Sequence, residues 1–331
     1  MTANAQKMSA IVQDGYGTSP AAVLRLAAVA RPTIGDDGVL VRVAAASVDR
    51  GTWHIMTGRP YAIRLAGFGV RAPKASNPGR ALAGTVEAVG KDVTEFKPGD
   101  EVYGTCEGSF AEYVRAEVSK LARKPANLSF EEAAAAPISG STALQAVRKA
   151  NVQPGQKVLI IGASGGVGTF AVKIAKAFGA EVTGVCSTAK MDLVRSLGAD
   201  HVIDYTRDNF TADDHRYDVI LDIGGNRRLS DLRRALTRRG TLVIVGGDTG
   251  GRWLGGFDRS LRAVLLSVFV RQTLGMLTSS ENSKNLNVLR DLIEGGQIAP
   301  TIDRTYLLSD TPYAIQYVSE NRAQGKVVIN V

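Results

Sequence analysis

Apolar and polar positions change their period along this chain. In the first third the pattern alternates. Val39 to Ala45 carries a valine-rich face, and Gly84 to Val89 does likewise. Lys97-Pro98-Gly99-Asp100 reads as a turn, and Val102-Tyr103 starts another strand. Few long helical patterns occur before Pro125, which predicts a compact, mostly β domain. After Pro125, Ser129 and Glu132 have capping-box spacing, and the alanine-rich run Glu131 to Ala136 favours helix. From Lys157 short apolar runs alternate with helical patterns. Strands are expected at Val158 to Ile161, Val182 to Val185, Val202-Ile203, Val219 to Leu221 and Leu242 to Val245. Helices are expected at Thr169 to Phe178 and Met191 to Leu197, stopped by Gly179 and Gly198. This alternation predicts an α/β, doubly wound parallel sheet with helices on both faces. The end is mixed: helices at Ser283 to Glu294 and Thr311 to Asn321, then a strand from Gly325 to Val331. The expected organisation is a mostly β domain, residues 1–124 and 280–331, around a parallel-sheet domain, residues 125–279.

Composition narrows the class. A length of 331 residues suits about two domains, and 44% hydrophobic with 22% charged residues is ordinary for a globular protein. Disorder, a collagen-like repeat and a disulfide scaffold are excluded. Two cysteines, Cys106 and Cys186, cannot build a four-cysteine zinc site and point to a reducing compartment. Met1 to Ala10 lacks an apolar signal core, and the apolar run Ala263 to Val270, interrupted by Ser267, is too short for a membrane span. A cytoplasmic location without a membrane partner is expected. The formal charge of +8 is spread along the chain, with its densest cluster at Arg227, Arg228, Arg233, Arg234, Arg238 and Arg239. Leu229, Leu232 and Leu236 interleave at helical spacing, so an amphipathic helix with a solvated basic face is expected rather than a nucleic-acid surface.

The most specific chemistry lies in Gly162-Ala163-Ser164-Gly165-Gly166-Val167-Gly168, which follows an apolar strand and opens a helix. Glycines there permit a tight turn and let backbone N–H groups approach a pyrophosphate at a helix N-terminus. After the next strand comes Ser187-Thr188-Ala189-Lys190, and no carboxylate lies between Glu181 and Asp192. An NAD site places a carboxylate here for the ribose hydroxyls, whereas Ser187 and Lys190 suit a 2′-phosphate. NADPH is therefore the expected cofactor.

Several segments together carry a family resemblance: residues 81–90 (ALAGTVEAVG), 96–104 (FKPGDEVYG), 108–113 (GSFAEY), the 162–168 loop, and 325–329 (GKVVI). The chain resembles zinc-independent members of the medium-chain dehydrogenase/reductase superfamily, in the quinone oxidoreductase (ζ-crystallin-like) group. The resemblance implies a GroES-like catalytic domain split around a Rossmann domain, with the active site in the cleft between them. It implies that Ser164 to Val167 hold the pyrophosphate and that Lys190 and Tyr205 hold the 2′-phosphate. It implies Thr142 near the nicotinamide, Gly246 and Gly247 beside the cofactor, and Asn321 and Lys326 on the return toward the cleft.

Two departures matter. The positions matching catalytic zinc ligands of the superfamily are Asp49, Arg80-Ala81 and Ile138, which cannot make a zinc site, so no metal is expected. The group's Asn-x-x-Asp motif stands here as Asp49-Arg50-Gly51-Thr52, followed by Trp53 and His54. Asp49 is expected as a structural hydrogen-bonding residue rather than a base. Without metal or flavin, hydride from NADPH must reach an acceptor that delocalises the arriving charge, such as a quinone or an α,β-unsaturated carbonyl. Thr52, His54 and Tyr61 are the candidate proton or hydrogen-bond donors, and imidazole has the ordinary pKa nearest neutrality. The apolar stretch Phe257 to Leu277, carrying Arg259, Arg262 and Arg271, is expected to shape a pocket or, preferably, to form a homodimer interface. The competing readings are an NADP-dependent alcohol dehydrogenase or carbonyl reductase, and a non-catalytic, nucleic-acid-associated NADPH-binding protein like some ζ-crystallin relatives.

Overall fold

The computed structural model describes residues 6–211, 215–225, 227–247 and 251–331, without the side chain of residue 66. Two compact units emerge. One contains Met1–Ser141, Glu281–Gly295 and Pro300–Val331, the other Thr142–Ser280 and Gly296–Ala299.

The first unit begins with β1 (Lys7–Gln13), the short helix α1 (Pro20–Val23) and β2 (Leu24–Ala30), the two strands pairing antiparallel. The 11-residue β3 (Gly38–Val48) follows, then α2 (Arg50–Thr57), β4 (Ala81–Val89), β5 (Glu101–Thr105), β6 (Tyr113–Glu117) and β7 (Leu121–Arg123). β3 pairs antiparallel with both β4 and β6, and β4 passes the sheet on to β5 and β7. The alternation read in the sequence is real: Val41 and Val43 are buried while Arg42 between them is exposed. Val39, Val41, Leu82, Val86 and Phe110 join one core.

Helix α3 (Phe130–Ala135) starts at the expected capping box. Ser129 Oγ accepts the Glu132 N–H at 3.2 Å, and the Glu132 carboxylate accepts the Ser129 N–H at 2.9 Å. Buried Ala133 to Ala136 let this helix seat closely on β3 and β4. The first compact unit runs through Ser141, inside α4 (Pro137–Lys149).

The second unit contains β8 (Lys157–Ile161), α5 (Gly166–Ala177), β9 (Glu181–Cys186), α6 (Met191–Ser196), β10 (His201–Asp204) and β11 (Tyr217–Asp222). It continues with α7 (Leu229–Ala235), β12 (Leu236–Ile244), α8 (Gly251–Leu254), α9 (Phe257–Ser267) and β13 (Thr273–Met276). All six strands are parallel, in the order β10-β9-β8-β11-β12-β13. This is the Rossmann order, which reverses direction between β8 and β11.

One expectation is corrected here. The basic cluster is not one helix: α7 ends at Ala235, and Leu236 already pairs with Tyr217 of β11. Burial of Leu236 in the sheet and the helix-disfavouring Gly240 override the helical spacing, so Arg238 and Arg239 belong to a strand. The sixth strand, β13, has only the residues Thr-Leu-Gly-Met and gave no sequence pattern of its own.

The chain returns to the first unit through α10 (Ser283–Glu294), β14 (Ile302–Leu307), α11 (Thr311–Ser319) and β15 (Lys326–Asn330). β15 inserts beside β3, pairing Val327 with Val48. That register brings Lys326 to the end of β3, next to Asp49. The Tyr103 hydroxyl ties α10 to this unit by donating to Leu286 O at 2.6 Å.

Candidate functional site

In the second unit the carboxyl ends of β8, β11 and β12 meet as bare backbone. Gly162 turns with φ 85°, and a Cβ on Gly168 would stand 2.1 Å from Gly162 O. Only glycine lets the turn and the first turn of α5 come this close. Gly165 is the N-cap of α5 and Gly166 its first residue, with Val167 next and Ser164 buried just before. The free N–H groups of that helix end and its partial positive charge form a cradle that suits a pyrophosphate. Gly246 and Gly247 lie in the same crevice region. A Cβ on Gly246 would stand 2.5 Å from Ile223 O, and one on Gly225 would stand 2.3 Å from Gly247 Cα.

Arg259 of α9 fastens these loops, a role that sequence reasoning missed. Its guanidinium lies 2.6 Å from Asp222 Oδ2 and donates to the carbonyls of Arg227 (2.8 Å) and Gly246 (3.4 Å). Asp222 is fully buried and also accepts the Gly225 N–H at 3.0 Å. Burial pushes its carboxyl pKa up, and the Arg259 charge opposes that shift. Arg259 thus faces inward rather than serving a pocket or a subunit contact, as its place in the apolar stretch had implied. Spacing carries no signal for a partner 37 positions away.

On the other side of β8, Ser187 is the N-cap of a 3-10 turn, Thr188–Lys190. Ser187 and Lys190 are half-buried, and Tyr205, at the end of β10, is exposed. A carboxylate does approach this turn, from β10. Asp204 accepts from the Thr188 hydroxyl, from Thr206 N–H at 2.9 Å and from Thr206 Oγ1 at 2.7 Å. Those hydrogen bonds, Thr188's first, hold its carboxyl below the usual range. Both of its oxygens already accept protein hydrogen bonds, so it braces the turn that carries Lys190. Thr142, on α4, shares a 3.4 Å hydrogen bond with Ser279.

The first unit holds the other candidates. Asp49 is the N-cap of α2, and Thr52 Oγ1 accepts its N–H at 3.3 Å. Asp49 is 8% exposed and Lys326 1%. The Lys326 ammonium donates to Asp49 Oδ1, to Val48 O at 3.1 Å and to Ser139 Oγ at 3.3 Å. Ser139 in turn donates to Asp49 Oδ1 at 2.6 Å. Lys326 is thus a buried partner of Asp49, with its three donors engaged by protein acceptors. Asn321 lies just past α11 with φ 57°, where a short polar side chain tolerates the left-handed turn that ends the helix. Arg50 closes the same helix end by donating to the carbonyls of Val318 and Ser319.

His54 and Tyr61 follow on from α2. His54 Nδ1 lies 2.8 Å from Arg59 O; a carbonyl only accepts, so Nδ1 carries the proton and Nε2 the lone pair of the neutral ring. Arg64 lies between two aromatic rings, 4.7 Å from the centroid of Tyr61 and 4.2 Å from that of Tyr16, and donates to Gly58 O at 2.9 Å. The Tyr16 hydroxyl reaches the carbonyls of Phe68 and Gly69 at 2.7 and 2.6 Å. Tyr16, which no motif singled out, therefore clamps the segment that follows α2.

Comparison with known proteins agrees with this architecture. Residues 35–126 match the alcohol dehydrogenase GroES-like domain, and residues 197–329 match the zinc-binding dehydrogenase family. The 2-methylene-furan-3-one reductase of Solanum lycopersicum is 34% identical over 98% of this chain and 79% of its own length. The NADPH-dependent alkenal/one oxidoreductase of Arabidopsis thaliana, a chloroplastic protein, is 32% identical over 98% of this chain and 80% of its own. The Escherichia coli quinone oxidoreductase, solved in complex with NADPH, superimposes with a TM-score of 0.81 at 25% identity, covering 98% of this chain and 100% of that one. The chain belongs to the medium-chain dehydrogenase/reductase superfamily, in its quinone oxidoreductase group.

In this medium-chain oxidoreductase, the side chains at the positions expected to match zinc ligands are engaged otherwise or have no ligand atom. Asp49 is paired with Lys326, Arg80 lies 2.6 Å from Glu281, and Ile138 has no donor atom. Among the described residues, no group of three or more His, Cys, Asp or Glu side chains is placed to hold a metal ion. Both cysteines are buried, and burial pushes the Cys106 thiol up to about 12 and the Cys186 thiol up to about 11. Neither is a thiolate nucleophile at neutral pH. Among the described residues, no helix is long and apolar enough to cross a membrane.

Proposed function

We propose that this oxidoreductase transfers a hydride from NADPH to a quinone or an α,β-unsaturated carbonyl, and does so without zinc. NADPH is the cofactor, and when bound it supplies the hydride from its nicotinamide ring. The carrying observation is the buried Asp49–Lys326 pair. An ammonium sits against Asp49 Oδ1, and a metal cation brought to the same carboxylate would be repelled by it, while Arg80 and Ile138 offer no ligand. Zinc does not fit these residues. With no Lewis acid to polarise an isolated carbonyl, the acceptor must spread the arriving charge by conjugation.

The chain's own residues supply the rest. Gly162, Gly165, Gly166 and Gly168, with Ser164 and Val167, form the pyrophosphate cradle. Ser187, Lys190 and Tyr205 take the 2′-phosphate, on a turn stiffened by Asp204. Thr142, Gly246 and Gly247 serve the nicotinamide half, and at Gly246 a Cβ would collide with Ile223 O. Asn321 and Lys326 act through the first unit's framework rather than on the cofactor. His54 is the favoured proton donor. Its contact to Arg59 O through Nδ1 fixes the orientation of the ring. Tyr61 is a hydroxyl donor to the acceptor oxygen, whereas Thr52, buried and accepting the Asp49 N–H, caps α2. Two buried free thiols support a reducing, cytoplasmic setting.

The names of the plant relatives, a furanone reductase and an alkenal/one oxidoreductase, support the enone side of this reading. NADPH oxidation measured with a 2-alkenal, an ortho-quinone and a saturated ketone tests it. Turnover of either conjugated acceptor, at least about 100-fold above the saturated ketone, is expected from the missing Lewis acid. Equal turnover of the saturated ketone would contradict it.

A further inference from the structure

At the amino ends of β12 and β13 a cavity of about 590 Å³ opens, lined by Arg233, Arg234, Arg238, Arg271 and Gln272 among others. This is the end of the sheet opposite the Gly162 turn, which follows the carboxyl end of a parallel strand. Arg238 lies near the amino end of β12, in the irregular stretch before Thr241, and Gly246 follows the strand's carboxyl end. The cavity is therefore separate from the dinucleotide crevice.

Four guanidinium groups from three chain segments surround this one volume. Arg234 is paired with Asp231 at 2.7 Å. Arg233 is held by its Nε, which donates to Gln272 Oε1 at 3.1 Å, so its terminal nitrogens are not engaged by that contact. Gln272 is itself fixed, donating to Arg233 O at 2.8 Å and Thr237 O at 3.3 Å. Arg238 and Arg271 are exposed and have no acidic partner among the described residues. With Asp231 as the counter-charge, the lining keeps a surplus of three positive charges.

We infer that this cavity binds a phosphoanhydride, the pyrophosphate or polyphosphate group of a small anion. Guanidinium forks match phosphate oxygens two at a time, and several forks around one volume call for an anion with several acceptor faces. A single carboxylate satisfies one fork. A phosphoanhydride presents adjoining tetrahedral groups and about three negative charges at neutral pH. The volume lies within the range of small-molecule sites.

The test is calorimetric titration of inorganic pyrophosphate, and separately of ATP, into the full-length protein and into Arg238→Ala/Arg271→Ala, both held at saturating NADPH so that the dinucleotide crevice is filled. Saturable binding to the NADPH-saturated protein is expected, and it is expected to weaken at least about tenfold in the double arginine variant. An unchanged NADPH affinity in the double arginine variant shows that its fold is intact. Tighter binding of ATP than of pyrophosphate identifies a nucleotide as the source of the group, and the reverse identifies the free anion. No saturable binding of either anion, or binding that the double arginine variant retains, overturns the inference.

Discussion

At the residue scale the decisive feature is the Asp49–Lys326–Ser139 cluster. A buried ion pair contributes little compared with an apolar pair of equal volume, but removing one partner strands the other charge. Lys326→Met is therefore expected to destabilise the first unit by about 3–5 kcal/mol in urea unfolding. Asp49→Leu/Lys326→Met should recover most of that loss, because both charges leave together. A double variant no more stable than Lys326→Met would show that the pair is not what holds this site. The sequence exposed half of this cluster. Asp49 stands out wherever a metal ligand is sought, but Lys326 is 277 positions away and only the pairing of β15 with β3 brings it in. The same holds for Asp204. A search for a carboxylate between Glu181 and Asp192 finds none, and the one that reaches the turn comes from the next strand.

At the scale of elements, the strands of the second unit were legible because parallel strands buried on both faces read as unbroken apolar runs. Strand β13 was not, since two of its four residues are Thr and Gly and its pairing with β12 alone makes it a strand. The helix α9 was legible only as an apolar stretch. Its inward arginine gives it a second task, anchoring the loops after β11 and β12 through Asp222, Arg227 and Gly246. Arg259→Met keeps the stem but leaves the Asp222 carboxylate buried and uncompensated. It is expected to lower stability by about 3–5 kcal/mol. NADPH affinity should fall with it, measured by quenching of protein fluorescence. Retained stability with weakened NADPH binding would instead make Arg259 a direct cofactor contact.

At the scale of the whole molecule, two properties follow from faces and charges rather than from motifs. The outer face of α9 and the turn after it leave Leu261, Leu265, Val268 and Phe269 exposed, at 51, 59, 81 and 84%. They lie next to β13, an edge strand with an open side. We propose that a second copy covers this face, meeting it edge to edge. Sedimentation should show a dimer that Val268→Asp/Phe269→Asp converts to monomer, and a wild-type monomer would dismiss the proposal. The central claim, hydride transfer without zinc, is tested most directly by one assay. NADPH oxidation by a conjugated acceptor is measured before and after exhaustive treatment with a metal chelator, with zinc content determined on the same sample. Unchanged turnover in protein with far less than one zinc per chain is the predicted result. Turnover that is lost to the chelator and restored by added zinc would contradict it.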